Sequence, residues 1–186
     1  MTSTRKLVAL VVAAATVTSV GACSTSERDQ AGPGQQQSDA PAPTADGKHG
    51  PMFQECGGIS DETLAEQTGV TGLVRTAVNS VGCQWLAGGG ILGPHFSFSW
   101  FRGSPIGRER KTEELSRTSV EDITIEGHDG WVAVGTDPTL GDNLCEIAIG
   151  FNDDFIEWSV NFNEKSFPPP CEVAEELTRQ SIVSAK

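Results

Sequence analysis

A chain of 186 residues with 13 basic against 25 acidic side chains carries a formal charge of −12. Such a surface repels nucleic-acid phosphates and anionic lipid headgroups, so nucleic-acid binding is excluded and any membrane contact must come from an anchor. Once a non-globular N-terminal stretch is set aside, the length allows one ordinary domain.

The chain opens with Arg5-Lys6, an Ala/Val-rich apolar run over 7–22, and Val20-Gly21-Ala22-Cys23. This reads as a bacterial lipoprotein export signal: basic residues, a short apolar core, then an aliphatic residue and two small ones before the acceptor cysteine. The run is too short and too rich in small residues for a transmembrane helix. It predicts removal of 1–22, with S-diacylglycerol and an N-acyl group on Cys23. The product is expected on the outer side of the cell membrane, anchored by lipid. Cleavage leaves 164 residues, with 11 basic against 25 acidic side chains, or −14.

Residues 23–49 hold the acylated cysteine and then a stretch rich in Gln, Pro, Ala, Ser, Thr, Gly and Asp. Too little apolar surface is available there to offset ordering entropy, which predicts a disordered tether spanning on the order of 30 Å. Thr25 and Thr44 are candidate sugar acceptors, but a bare spacer explains the composition more simply.

The foldable part, 50–186, keeps four cysteines: Cys56, Cys83, Cys145 and Cys171. An even set in an exported chain predicts two disulfides, with three pairings open. The pairing Cys56–Cys83 with Cys145–Cys171 is favoured because each bridge ties a helix start to a nearby strand. No C-x-x-C spacing and only scattered histidines argue against zinc.

Ser60 followed by Asp61-Glu62 and closed by Gly69 predicts a short capped helix. Residues 72–79 give no clear signal, and 81–87 reads as a strand. Gly88 to Gly93 satisfies G-x-G-x-x-G in letters only. The last glycine is followed by Pro94 and an alternating aromatic strand over 95–101, not by a helix whose N-terminus receives a pyrophosphate. The glycines are therefore expected to form a hairpin connection or bulge. Ser104-Pro105 predicts a helix with Ser104 as N-cap, running to about Ser116. Its faces are mostly charged, with Ile106 and Leu115 as anchors, so it is expected to ride on the surface.

Residues 120–126 and 131–134, joined by Gly127-His128-Asp129-Gly130, predict a hairpin. Residues 144–151 and 155–162 alternate cleanly about an Asn152-Asp153-Asp154 turn. Three prolines then lead to a final helix over 171–184, with Val173, Ala174 and Leu177 facing inward. The order predicts an α+β domain: a mainly antiparallel sheet with flanking helices.

Catalytic patterns are weak. There is no G-x-S-x-G, H-E-x-x-H, P-loop or S-x-x-K. His128-Asp129 combined with Ser97 or Ser99 is the one conceivable hydrolytic set, although Gly-His-Asp-Gly also suits a hairpin tip. Asn152-Asp153-Asp154 and the segment 137–142 lack calcium-loop spacing. No catalytic residue, cofactor or metal ligand is assigned. The binding candidate is a pocket between sheet and helix bordered by Trp85, Phe98, Trp100 and Arg102, against which stands a simple core role for the aromatics.

Gly57-Gly58-Ile59-Ser60-Asp61 after Cys56, the run 79–100 and the run 153–160 closely resemble a family of actinobacterial exported lipoproteins. The resemblance covers 50–186. It implies a mycobacterial or related envelope protein acylated at Cys23, and it carries no activity, cofactor or catalytic residue. The four cysteines resemble the family's pattern: one before the first helix, one before a tryptophan, one in a late strand, one opening the last helix. The leading expectation is a non-enzymatic binding or accessory module for an envelope lipid, a wall fragment or an envelope protein. The rival expectations are an envelope hydrolase acting on esters or glycans, and a surface antigen sensed by host lipoprotein receptors.

Overall fold

A computed structural model describes residues 48–186 apart from Gly89. The signal segment, Cys23, Thr25, Thr44 and almost all of the predicted tether lie outside the described residues. The order of elements is α1 (Asp61–Thr68), β1 (Val74–Asn79), β2 (Gly82–Leu86), β3 (His95–Phe101), α2 (Ile106–Ser116), β4 (Ser119–Ile125), β5 (His128–Asp137), β6 (Gly141–Phe151), β7 (Asp154–Asn161) and α3 (Pro170–Ser184). One antiparallel sheet of seven strands forms, in the order β1-β2-β3-β7-β6-β5-β4. This is the expected α+β class.

Two meanders build the sheet, β1-β2-β3 and β4-β5-β6-β7, and they meet where β3 pairs with β7. The chain must therefore travel from β3 to the far edge before β4 can start. Four strand spacings amount to roughly 19 Å, and an 11-residue helix reaches roughly 16 Å. Helix α2 makes that crossing.

The period-two pattern sorts side chains between the two faces. One face is apolar throughout: Trp85, Phe96, Phe98, Ile147, Ile149, Ile156, Trp158 and Val160 are all buried. Helix α3 covers it with Val173, Ala174 and Leu177. Trp85 and Trp158 stack with centroids 5.7 Å apart, and the Trp158 indole donates to Ser181 Oγ of α3 at 2.9 Å. A buried aromatic with its N–H satisfied in this way fixes the helix as well as filling space.

Both disulfides adopt the favoured pairing, Cys56–Cys83 and Cys145–Cys171. The first clips a 3-10 turn, Glu55–Gly58, to β2, and the second clips the start of α3 to β6. Gly57, at φ +66°, lies where a Cβ would strike the Ser181 hydroxyl and the Phe98 ring. The domain's ends also meet, since Met52 N–H donates to Lys186 O at 2.8 Å and Lys186 N–H to Met52 O at 3.1 Å.

Several boundaries differ from expectation. Residues 74–79, which gave no clear signal, pair with β2 as edge strand β1, and the exposure of nearly all its side chains removes any alternation in burial. The glycine-rich connection contains a 3-10 turn, Gly90–Leu92. The β4–β5 turn is confined to Glu126 and Gly127, both at positive φ, so His128 already belongs to a strand. That is a two-residue hairpin turn matched to strand twist. Helix α2 begins at Ile106 with Pro105 as N-cap, and Ser104 Oγ instead accepts from the Arg108 guanidinium at 3.0 Å.

Leu115 does not anchor α2 and is 91% exposed. Ile106, Glu113 and Arg117 follow the 3.6-residue spacing of the sheet-facing stripe, and Leu115 falls off it.

Candidate functional site

The sheet's second face is the less uniform one. Under α2 it is apolar, with Trp131, Ala133, Ala148 and Phe155 buried and packed by Ile106 and Phe101. Beyond α2, across β1, β2 and β3, no helix covers it among the described residues. A shallow trough of about 420 Å³ lies there, lined by Ala77, Asn79, Gly82, Gln84, Ser97, Ser99 and Phe101 among others.

The register places the floor. Gln84 lies opposite Ser97, Ser97 opposite Ser159, and Ser99 opposite Glu157, with Gly82 on the other flank of Ser99. Directly opposed side chains in an antiparallel pair stand roughly 5 Å apart at Cβ, and same-face neighbours along a strand roughly 7 Å. The side chains of Gln84, Ser97, Ser99 and Glu157 make no hydrogen bond among the described residues.

Toward α2 the polar floor becomes an ion cluster. Arg117 donates to both oxygens of Glu146, at 2.6 and 2.9 Å, and contacts Glu113 Oε2 at 3.0 Å. Ser159 Oγ donates to Glu146 Oε1 at 3.3 Å. One guanidinium thus serves two carboxylates, and Glu157 has none to itself. Burial, with the neighbouring Glu146, Glu109 and Glu113 charges, raises Glu157 to about 8, against which Arg117 pulls only weakly. Burial and Glu146 likewise push Glu113 upward. At neutral pH Glu157 is therefore mainly a neutral acid, able both to donate and to accept.

A different carboxylate ties the domain's entry down. Asp154 is buried and accepts from Gly103 N–H at 2.9 Å and Gly50 N–H at 3.2 Å, with His49 Nδ1 at 2.9 Å. Burial alone would raise Asp154, but the hydrogen bonds from Gly103, His49 and Gly50 hold it below its ordinary value. Asp61 is also lowered, first by the Trp85 indole at 2.6 Å, with burial opposing and Arg75 assisting.

The residues singled out from sequence fall as follows. Trp85, Phe98 and Trp100 are 0%, 2% and 6% exposed, and their rings lie in the core under α3, with Phe53 against Phe98 and Trp100. Arg102 stacks its guanidinium over the Trp100 ring at 4.7 Å and lies 3.5 Å from Asp154. Ser97 and Ser99 belong to the trough, while His128 lies against Phe151 on the opposite face, three strands away. His128 and Asp129 are thus not brought to either serine. Alternation within 95–101 and within 155–162 separated Ser97 and Ser99, and Glu157 and Ser159, from the apolar side of each strand, and the pairing of β3 with β7 sets all four on one face. What sequence reasoning missed was that this face stays open beyond α2.

A smaller depression, of about 270 Å³, lies beside Pro168, Pro169 and Pro170. Its Asn143 amide donates to the Phe162 carbonyl at 3.1 Å. Among the described residues no cluster of three His, Cys, Asp or Glu side chains could hold a metal ion, and no helix is long and apolar enough to cross a membrane.

The chain is a member of the family described as "Protein of unknown function (DUF3558)", whose model matches residues 18–184. It is 66% identical over 167 residues to the proteins named "Putative lipoprotein LprB" of Mycobacterium bovis and Mycobacterium tuberculosis, covering 90% of this chain and 89% of each relative. The Mycobacterium leprae protein of that name is 71% identical over 141 residues, 76% of this chain and 75% of the relative. No solved structure matches the chain. The resemblance carried by residues 56–61, 79–100 and 153–160 therefore holds along most of the sequence.

Proposed function

We propose that the chain is an envelope lipoprotein, cleaved before Cys23 and acylated there. In this reading the domain of residues 50–186, carried on the tether of 23–49, is a non-enzymatic binding module facing outward from the cell membrane. The relatives' lipoprotein names support the anchor, as does the Arg5-Lys6, apolar run and Val20-Gly21-Ala22-Cys23 sequence. Two disulfides suit an oxidising compartment.

The observation that carries the binding role is the half-open second face. An antiparallel sheet with one face in water turns polar side chains outward. Here small hydroxyls and an amide line a concave floor beside a neutral carboxyl, leaving hydrogen-bonding groups unengaged and reachable. Concavity with a few converging polar groups is the usual form of a small-ligand or partner site.

The test is capture from envelope extract with the full acylated chain, comparing the unaltered protein with Ser99→Trp, which fills the trough. Binding through this face predicts a component retained by the first and lost by the second. Identical captures from the two proteins would refute it. A companion Cys23→Ser chain should leave the membrane fraction; its retention there would remove the anchor.

A further inference from the structure

We propose that the open half of the second face binds an uncharged, hydroxyl-rich ligand, a segment of neutral glycan. This rests on the binding role proposed above and names its ligand class.

The donors and acceptors on the floor select the ligand. Ser97 and Ser99 each offer an O–H and lone pairs, and the Gln84 amide offers both kinds of group. Each is unpartnered among the described residues, and each stands on the trough floor. Alcohol hydroxyls also donate and accept at one atom, so a polyol satisfies this floor without leaving a lone donor or acceptor unpaired. A phosphate or carboxylate would offer acceptors alone, and an ammonium donors alone. An acyl chain would bury these groups with no partner, at a cost.

Charge makes the same selection. Arg117, which lies near Glu157, is already held by Glu146 and Glu113. An anion entering next to Glu157 would therefore meet carboxyl groups and no free guanidinium. A cation would find Glu157 largely protonated at neutral pH, for the reasons of burial and neighbouring charge given above. That neutral carboxyl is one more group that both donates and accepts.

Spacing fits as well. Side chains about 5 Å apart across strands and about 7 Å along them match the reach between hydroxyls on one or two sugar rings. Phe101, half-buried at one end, and Ala77 at the other supply apolar surface for the C–H faces of such rings.

The experiment uses the full acylated chain in detergent micelles, with immobilised neutral mannan, galactan, arabinan and glucan oligosaccharides as probes. A polyuronate and a phosphorylated mannan serve as anionic counterparts. Expected is saturable binding of at least one neutral glycan, at least tenfold weaker binding of the anionic ones, and a tenfold or greater loss in Ser97→Val/Ser99→Val. That double variant removes two hydroxyls while keeping strand-compatible side chains, and an unchanged melting temperature confirms it is folded. The inference is overturned if no neutral probe binds, if an anionic probe binds as tightly, or if the double variant binds undiminished. Should Ser99→Trp still abolish capture of a protein or lipid from envelope extract, the glycan assignment alone fails. If that capture is also unaffected, the binding role fails with it.

Discussion

Ser99 and Glu157 face each other directly across β3 and β7, and neither side chain has a hydrogen-bond partner among the described residues. The carboxyl, crowded by Glu146, Glu109 and Glu113, is raised from 4.5 to about 8. A folded-state value above the unfolded one means that the native protein holds a proton the unfolded chain releases. The stability this contributes is fully present below about pH 4.5 and is lost as pH rises toward 8, with a slope of at most about 1.4 kcal/mol per pH unit. Glu157→Gln should flatten that slope in urea titrations at pH 5, 7 and 9. A wild-type stability that does not fall over this range would contradict it.

Asp154 behaves in the opposite sense. Its value is lowered, so its contribution is present above the ordinary carboxylate range and disappears as pH falls through it. Asp154→Ala leaves the Gly103 and Gly50 N–H groups without their acceptor and should cost about 2–4 kcal/mol in thermal or urea unfolding. A loss below about 0.5 kcal/mol would show that water replaces the carboxylate.

Helix α2 offers an internal contrast. Ile106→Ala removes an aliphatic side chain packed against the Trp131 and Phe155 cluster, and should cost about 2 kcal/mol. Leu115→Ala changes an exposed side chain and should stay within about 0.5 kcal/mol. Equal effects would mean that the helix is rotated from the orientation described.

The two bridges close loops of 27 and 26 residues. In the chain-entropy account each contributes about 3.5 kcal/mol by restricting the unfolded state. Replacing Cys145 and Cys171 together by Ala should lower stability by about that amount, and mapping of non-reduced peptides should recover only the linkages Cys56–Cys83 and Cys145–Cys171.

Much of this fold was legible because local signals agreed with the global arrangement. Ser60 and Gly69 bound α1 as their chemistry demands, with Ser60 Oγ accepting from Thr63 N–H at 3.1 Å and Gly69 in the left-handed region. The alternation in β3, β6 and β7 holds because one face is buried throughout β3 and β7 and from Cys145 to Phe151 in β6. Strand β1 was illegible for the reverse reason: an exposed edge strand places no pattern on its residues. Leu115 misled because hydrophobicity was read without helical phase, which instead turns Glu113 toward the sheet. Trp85, Phe98 and Trp100 were read as bordering a pocket, whereas all three rings are buried in the core; which face is open depends on where α2 and α3 cross, and that is set by strand order. The serine floor was visible as spacing in the sequence and invisible as a surface.

Intact-mass and peptide mass spectrometry of the chain from the membrane fraction decides whether Cys23 carries the proposed lipid anchor. Expected is a mature N-terminus at Cys23 carrying a diacylglyceryl thioether and an amide-linked acyl group. A chain still beginning at Met1, or one cut elsewhere with Cys23 unmodified, would contradict it.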